Sequence, residues 1–413
     1  VSSGDLVVEH QCPQCGAPVI LGESERLFTC RHCRVRLYLF AAPVFRYYLP
    51  HDPSGEEPVF VPYWHLRGAF FFLEPFKVRH AMVDATFKAA GPGLLPPTLG
   101  LRAQAMKLRI AGKGVAGRFL PAGLTADVLM GKIESLTGSK GGATTSTRVY
   151  HRAFVGETKS IVYAPLFLRE EKVYDAVLDR LLGSLGDDGA GALTADDDPA
   201  SWQAGFLPAV CPNCGWDLPG SRRSIALICK GCAGGWRVSG GRFRRLDYAV
   251  HPGERGPSTM YHPFWRMKVR VEGLPLSSFA DLARFANLPL AVRKEWESLE
   301  LVFWAPAFHL RPAIFLRLAR RLSSLPLEVA EGATDPGEGE LYPATLGERE
   351  AFESVRLTLA SMAVRKKDVF PLLPQTGLHL EQALLTYLPF STRGGDFIGQ
   401  ASGVSFRCNA LRS

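Results

Sequence analysis

Eight of the nine cysteines in this 413-residue chain fall into two sets with one spacing. The first is Cys12-Pro-Gln-Cys15 with Cys30-Arg-His-Cys33, the second Cys211-Pro-Asn-Cys214 with Cys229-Lys-Gly-Cys232. In both, two residues separate the members of a pair and fourteen separate the pairs, so each cysteine recurs 199 positions on. Four thiolates carried on two tight turns match the tetrahedral, sulfur-rich coordination of structural Zn²⁺, and the layout is that of a zinc ribbon. The spacing predicts two Zn²⁺ per chain with no open position for water or substrate, so that metal binding is part of each ribbon's folding free energy. Iron accepts the same four sulfurs, and a rubredoxin-like electron carrier is the alternative.

Other residues offer weaker chemistry. His32 sits inside a knuckle and reads as a surface histidine, and Cys408 as a small buried strand residue. Gly112-Lys-Gly114-Val-Ala-Gly117 matches a dinucleotide fingerprint as a string, but Pro121 and Gly123 interrupt the helix it needs. Gly138-Ser-Lys140-Gly-Gly-Ala-Thr-Thr resembles a phosphate loop in composition only and reads as a loop. No H-E-x-x-H, G-x-S-x-G or deaminase pattern occurs, so no enzyme is indicated. Basic residues gather around the cysteines: Arg31, Arg34 and Arg36 in the first set; Arg222, Arg223, Lys230, Arg237, Arg242, Arg244 and Arg245 in the second. Interleaved with Trp236 and Phe243, the second group is a candidate face for a nucleic acid or an acidic protein.

The repeat that positions these residues extends beyond the cysteines. Phe60-Val-Pro62-Tyr63-Trp64 is echoed by Tyr261-His-Pro263-Phe264-Trp265, and Leu101 to Arg109 by Phe303 to Arg311. Tyr163-Ala-Pro165 is echoed by Tyr387-Leu-Pro389, with an exposed loop over Glu328 to Glu340 lengthening the second copy. The Pro-aromatic-Trp segments read as core strands, with Pro62 and Pro263 at a strand start or edge. Between the copies, Ser184 to Gly205 holds five aspartates and no Lys or Arg, the composition of a solvated linker.

These signals predict an α+β chain of two homologous halves, each a four-cysteine zinc ribbon followed by a mixed antiparallel β-sheet and helix domain. The boundaries fall at 1–45 for the first ribbon, 46–183 for its domain, 184–205 for the acidic linker, 206–247 for the second ribbon and 248–413 for its domain. Within each ribbon a β-hairpin is expected between the cysteine pairs, at Ala17 to Thr29 and Trp216 to Ile228, with a third strand at Arg34 to Leu39 and Gly235 to Ser239. A helix is expected after Ser277-Ser278, where serine can cap it. Closing hairpins are expected at Ser160 to Leu181 and Ala383 to Cys408.

Apolar residues make up 46% of the chain and charged residues 21%, which suits a folded protein. No apolar run approaches the roughly 20 residues of a membrane-spanning helix. The start carries no visible secretory signal, and C-x-x-C cysteines then point to metal thiolates in a reducing, cytoplasmic setting. A net charge of +8 allows association with acidic partners.

The Cys-Pro-x-Cys-Gly knuckles followed by a Pro-aromatic-Trp strand resemble the tandem zinc-ribbon bacterial proteins often labelled primosomal protein N′-like, a label taken from the ribbon alone. The resemblance implies structural zinc in a cytoplasmic bacterial protein and no catalytic residues; the helicase motifs of the true primosomal enzyme are absent. The resulting expectation is a non-enzymatic, zinc-stabilised scaffold or adaptor for protein–protein assembly. Nucleic-acid binding, iron electron transfer and a small-molecule enzyme with a composite site are the alternatives.

Overall fold

The computed structural model describes residues 5–52, 56–124, 126–138, 148–185, 191, 193–253, 259–327, 329 and 339–411. The fold is mixed α+β, with a ten-stranded sheet, a seven-stranded sheet and two three-stranded sheets. The cysteine region of the first half contributes β1 (Val7–Gln11), β2 (Pro18–Gly22), β3 (Leu27–Thr29) and β4 (Arg36–Ala42). The hairpin expected between the cysteine pairs does not form. β2 turns back on β1, whereas β3 pairs with β4, so the chain changes sheet at Glu23-Ser24-Glu25. All three of those residues are buried, with partners inside the protein. The acidic turn is thus an internal joint between two sheets and not the tip of the expected hairpin.

The rest of the first half runs β5 (Phe45–Tyr48), β6 (Val59–Glu74), β7 (Lys77–Lys88), α1 (Arg102–Ala105), β8 (Lys107–Ile110) and β9 (Arg118–Phe119). It continues through α2 (Ala126–Gly138), β10 (His151–Arg169), β11 (Lys172–Asp175) and β12 (Arg180–Ser184). The antiparallel β6–β10 ladder is its backbone, with β7 on the other side of β6. Ala69-Phe-Phe-Phe-Leu73 is apolar at every position because both faces of β6 are covered. Phe70 and Phe72 face Leu129 and Ile133 of α2, whereas Ala69, Phe71 and Leu73 join the core of the second half.

The second half runs β13 (Gln203–Pro208), β14 (Ala226–Ile228), β15 (Gly235–Ser239), β16 (Arg242–Arg245), β17 (Tyr248–Val250) and β18 (Thr259–Glu272). There follow α3 (Phe279–Phe285), β19 (Val302–Pro306), α4 (Pro312–Ser323), β20 (Glu340–Leu341), α5 (Glu348–Glu353), α6 (Val355–Met362) and α7 (Lys366–Val369). β21 (Gly377–Arg393), β22 (Asp396–Gly399) and β23 (Ser405–Arg407) close it. α3 begins where serine capping predicts: Ser278 Oγ accepts from Asp281 N at 3.3 Å, and Asp281 Oδ2 accepts from Ser278 N at 3.2 Å. The strand expected at Gly235 to Ser239 forms as β15, between β14 and β16, but the hairpin expected before it does not, as Asp217 makes only an isolated bridge with Val210.

The same pairing recurs in the two halves. Pro62 lies opposite Tyr163 in β6–β10, and Pro263 opposite Tyr387 in β18–β21. A short parallel strand flanks each long ladder, β5 on β10 and β17 on β21, and an antiparallel strand flanks its other side, β7 on β6 and β19 on β18. The sheets are therefore mixed, and not purely antiparallel. Both prolines lie well inside long strands with neighbours on either side, contrary to the expected edge position. Their carbonyls accept from Ala89 N at 2.9 Å and Ala307 N at 3.0 Å, where β7 and β19 have just ended. An extended residue points its N and its C=O to the same side, so each missing N–H faces the end of a neighbouring strand and leaves the long ladder intact.

One expected echo fails. Leu101 to Arg109 forms α1 and β8, whereas its supposed counterpart from Phe303 lies in β19, whose topological equivalent is β7. The linker is also no free tether over its described part. Leu193 is buried, Asp197 N donates to Phe119 O at 2.7 Å, and Trp202 stacks on Tyr163 at 5.5 Å under the Arg46 guanidinium. Its last residues enter β13, which pairs with β4 of the first ribbon. Most of the loop expected over Glu328 to Glu340 lies outside the described residues, as does the phosphate-loop-like stretch after Gly138.

Candidate metal centres

Each quartet of cysteines converges, with its four sulfurs within 4.8 Å of one another. Cys12 Sγ lies 3.8 Å from Cys33 Sγ and Cys15 Sγ 3.7 Å from Cys30 Sγ; the second quartet gives 3.6 Å for Cys211 with Cys232 and 3.4 Å for Cys214 with Cys229. Sulfurs placed about 2.3 Å from a tetrahedral ion stand about 3.8 Å apart, so the spacing fits a four-sulfur site. It is far outside the roughly 2.05 Å of a disulfide. The chain can therefore hold two metal ions.

The knuckles are built by backbone geometry. In each, the N–H four residues after the leading cysteine, or the leading cysteine's own N–H, closes a tight turn: Gly16 N to Cys12 O, Arg34 N to Cys30 O, Gly215 N to Cys211 O and Cys229 N to Gly234 O, at 2.8 to 3.0 Å. The residue at that fourth position has positive φ in all four: Gly16 at 72°, Arg34 at 62°, Gly215 at 77° and Ala233 at 51°. The leading cysteine of each pair is buried, whereas Cys15, Cys33 and Cys214 are exposed and Cys232 is half-buried.

The thiols are electrically uneven. N–H groups of Cys33 and then His32 hold the Cys30 thiol down at about 6, and the Asn213 side chain with the Gly234 N–H does the same for Cys232, also at about 6. Against a lowering hydrogen bond from the Val35 N–H, desolvation and the neighbouring sulfurs push Cys33 up to about 12; Cys214, lowered by the Trp216 N–H, is likewise pushed up to about 12. A quartet that already carries one thiolate among crowded sulfurs is the donor set a soft cation relieves.

The basic residues divide. Arg222, Arg223 and Arg237 have carboxylate partners: Arg222 Nη2 pairs with Glu25 at 2.9 Å and Arg237 Nη1 with Glu348 at 2.8 Å, both arginines remaining about half exposed, and the more buried Arg223 has Nη2 3.9 Å from Glu157. Lys230, Arg242, Arg244 and Arg245 remain exposed, with no carboxylate partner among the described residues. Arg245 lies over the Trp236 ring at 5.7 Å. Trp216, 67% exposed, rests against Gly231 beside Cys214, so an open aromatic ring adjoins the second quartet.

Sequence reasoning missed a buried ionic network behind the first ribbon. His65 Nδ1 meets Glu23 at 2.9 Å and its Nε2 meets Asp84 at 3.0 Å, while Ser160 Oγ donates to Glu23. Burial alone would lower the imidazole, but the Glu23 charge and the Asp84 hydrogen bond overcome it and raise His65 to about 9. Next to it Arg67 bridges Asp5 at 2.7 Å and Glu157 at 3.1 Å, and Ser24 Oγ donates to Asp5 at 2.6 Å. A usable signal was in the repeat: at the 199-residue offset Glu23 stands opposite Arg222, and Ser24 opposite Arg223. An acid and a base at matching positions of the two halves suit contact between the halves.

The other candidates carry no such geometry. His32 is exposed, as expected, whereas Cys408 is half-buried in a short 3₁₀ turn and not in a strand. Gly112 to Gly117 forms a loop between β8 and β9 with no helix opening on it. No helix among the described residues is long and apolar enough to cross a membrane. Comparison with protein-family models, with curated proteins and with solved structures finds no match to this chain.

Proposed function

We propose that this chain is a non-enzymatic scaffold in which two Zn²⁺-filled ribbons form a rigid head that holds a protein partner in a reducing, cytoplasmic setting. The carrying observation is that both quartets are closed, four sulfurs apiece at tetrahedral spacing, which suits a structural ion rather than one that binds substrate. Zinc is preferred to iron because it needs no redox partner. The matching strand pairing of the two halves supports an internal duplication, and kinship with tandem zinc-ribbon bacterial proteins belongs to the same reading. A cleft of about 280 Å³ lined by Leu288, Leu325, Met362 and Val404 has mostly apolar walls, and its charged lining is Arg320 and Arg321.

The partner-facing surface in this reading is made of the exposed basic residues of the second ribbon, Lys230, Arg242, Arg244 and Arg245, together with the open ring of Trp216 against Gly231. Charge reversal at Arg242 and Arg244 with Trp216→Ala should abolish co-purification of a stoichiometric partner from the native host while both ions are retained. Unchanged co-purification refutes this surface. Metal analysis of the same sample separates zinc from iron, since a ferric tetrathiolate is coloured.

The exposed Trp216, in a ribbon whose Lys230, Arg242, Arg244 and Arg245 have no carboxylate partner among the described residues, also favours a second reading, single-stranded nucleic-acid binding by stacking and phosphate contact. Anisotropy with labelled single-stranded DNA and RNA at 50 and 200 mM salt decides it. Binding that falls steeply with salt and is lost in the same triple variant supports it; salt-insensitive or absent binding rejects it.

A further inference from the structure

The two metal centres are built so that neither ribbon is complete without the other. β13, which leads into Cys211, pairs over six residues with β4, which follows Cys33. Ala209 N donates to Arg36 O at 3.0 Å, and Arg36 Nη1 donates to Leu218 O at 3.3 Å, so the chain next to ligands of one quartet is bonded to chain next to ligands of the other. Leu27 and Tyr38 of the first ribbon lie in one apolar cluster with Leu218, Leu227, Trp236 and two ligands of the second quartet, Cys211 and Cys229. At the tips, Arg26 N and Leu27 N both donate to Arg222 O, at 2.6 and 2.9 Å.

We propose that the two sites load metal cooperatively, as one folding unit, because the two ribbons share a strand pair, an apolar cluster and the hydrogen bonds at their tips. A ribbon of this size has too little apolar core to hold its shape without an ion. Losing one ion loosens that ribbon and removes these supports from the other, whose own ion then binds less tightly. By linkage, the factor by which site one helps site two equals the factor by which site two helps site one. This inference does not depend on what the protein holds.

Native mass spectrometry of the full-length metal-free chain titrated with Zn²⁺ tests it. Independent equal sites put half of the molecules in the one-metal form at half saturation. A tenfold coupling lowers that to about a quarter. In parallel, C12S/C15S and C211S/C214S variants should each bind their remaining ion at least about tenfold more weakly than the same site in the wild type, by equal factors. Phe206 of β13 packs on His10 at 4.9 Å and on Phe28 at 5.5 Å, both in the first ribbon. Because a cysteine variant can lose more than one ribbon, R222E/F206A keeps all eight thiols and loosens the join; its one-metal form should rise towards half. A wild-type one-metal fraction of half or more, remaining sites at wild-type affinity, or an R222E/F206A titration identical to wild type would overturn the inference.

Discussion

Arg222 of the second ribbon reaches Glu25 of the first, Nη2 to Oε2 at 2.9 Å, from the turn equivalent to the one that holds Glu25. Glu25 is buried and its Oε2 also accepts from Gly22 N at 2.8 Å, whereas Arg222 is half exposed. The pair by itself is modest, because solvent screens the arginine. Its position matters more, since three further buried carboxylates, Glu23, Asp5 and Glu157, lie behind it.

Charge reversal at this joint should therefore cost more than simple removal. Arg222→Ala is expected to destabilise the chain by about 1 kcal/mol, and Arg222→Glu by about 2 to 3 kcal/mol, because it faces a second carboxylate against buried acid. Urea unfolding of the metal-loaded protein measures both. Equal costs would show that Arg222 acts through contact alone.

Two histidines set opposite limits on pH. His65 is raised to about 9 from 6.5, so its share of stability is complete below about pH 6.5 and is lost as pH climbs through 9. His262 is lowered to about 3 by burial among Phe308, Tyr342, Phe390, Phe397 and Phe406, at 4.6 to 5.3 Å. Below pH 6.5 the unfolded chain takes up a proton that the fold refuses at His262, so stability falls as pH falls, by about 1.4 kcal/mol per unit. His65→Gln should flatten the alkaline limb of a stability–pH profile and His262→Leu the acid limb. Neither ring nitrogen of His262 has a hydrogen-bond partner among the described residues, so His262→Leu should also stabilise the protein by about 1 to 3 kcal/mol at pH 7.

The knuckles offer a test of backbone strain. Arg34 and Ala233 occupy the left-handed region that Gly16 and Gly215 occupy at equivalent positions. A non-glycine residue there costs about 1 to 2 kcal/mol, whereas glycine costs about 0.4 to 1 kcal/mol through the freedom it adds to the unfolded chain. The first exceeds the second, so Arg34→Gly and Ala233→Gly should each raise stability by about 0.5 to 1 kcal/mol. Thermal unfolding of the zinc-loaded variants checks the sign.

The cysteine quartets and the long strands were legible because their signals are local: a fixed thiol spacing, and runs such as Phe60 to Leu73 with few residues that tolerate water. Partner choice was not. Nothing in Gln203 to Pro208 says that it prefers β4 to its own half, since a short strand of small and apolar residues fits either sheet. The burial of Glu23-Ser24-Glu25 was not legible because burial of acids depends on bases supplied elsewhere, His65 on Glu23 within its own half and Arg222 on Glu25 from the other half of the chain. Pro62 misled for a related reason, as its tolerance depends on where β7 happens to stop.

The two halves meet through their cores as well as their ribbons, and this seam makes a last prediction. His309 of the second half approaches the carbonyl of Gly156 with Nε2 at 2.9 Å, where the β6–β10 ladder is irregular. Gly156 lies across from Gly68, and a Cβ on Gly68 would stand 2.7 Å from Gly156 Cα and 2.8 Å from Val155 O, both backbone atoms that cannot swing aside. Gly68→Ala should therefore shift this seam and destabilise the chain by about 1 to 3 kcal/mol or more. Because Phe71 and Val155 of the first half sit in the core of the second, the loss should appear in both halves at once. Hydrogen exchange resolved along the chain reads this: protection should fall together in β10 and β18. A fall confined to β6 and β10 would mean that the shared core does not couple the halves.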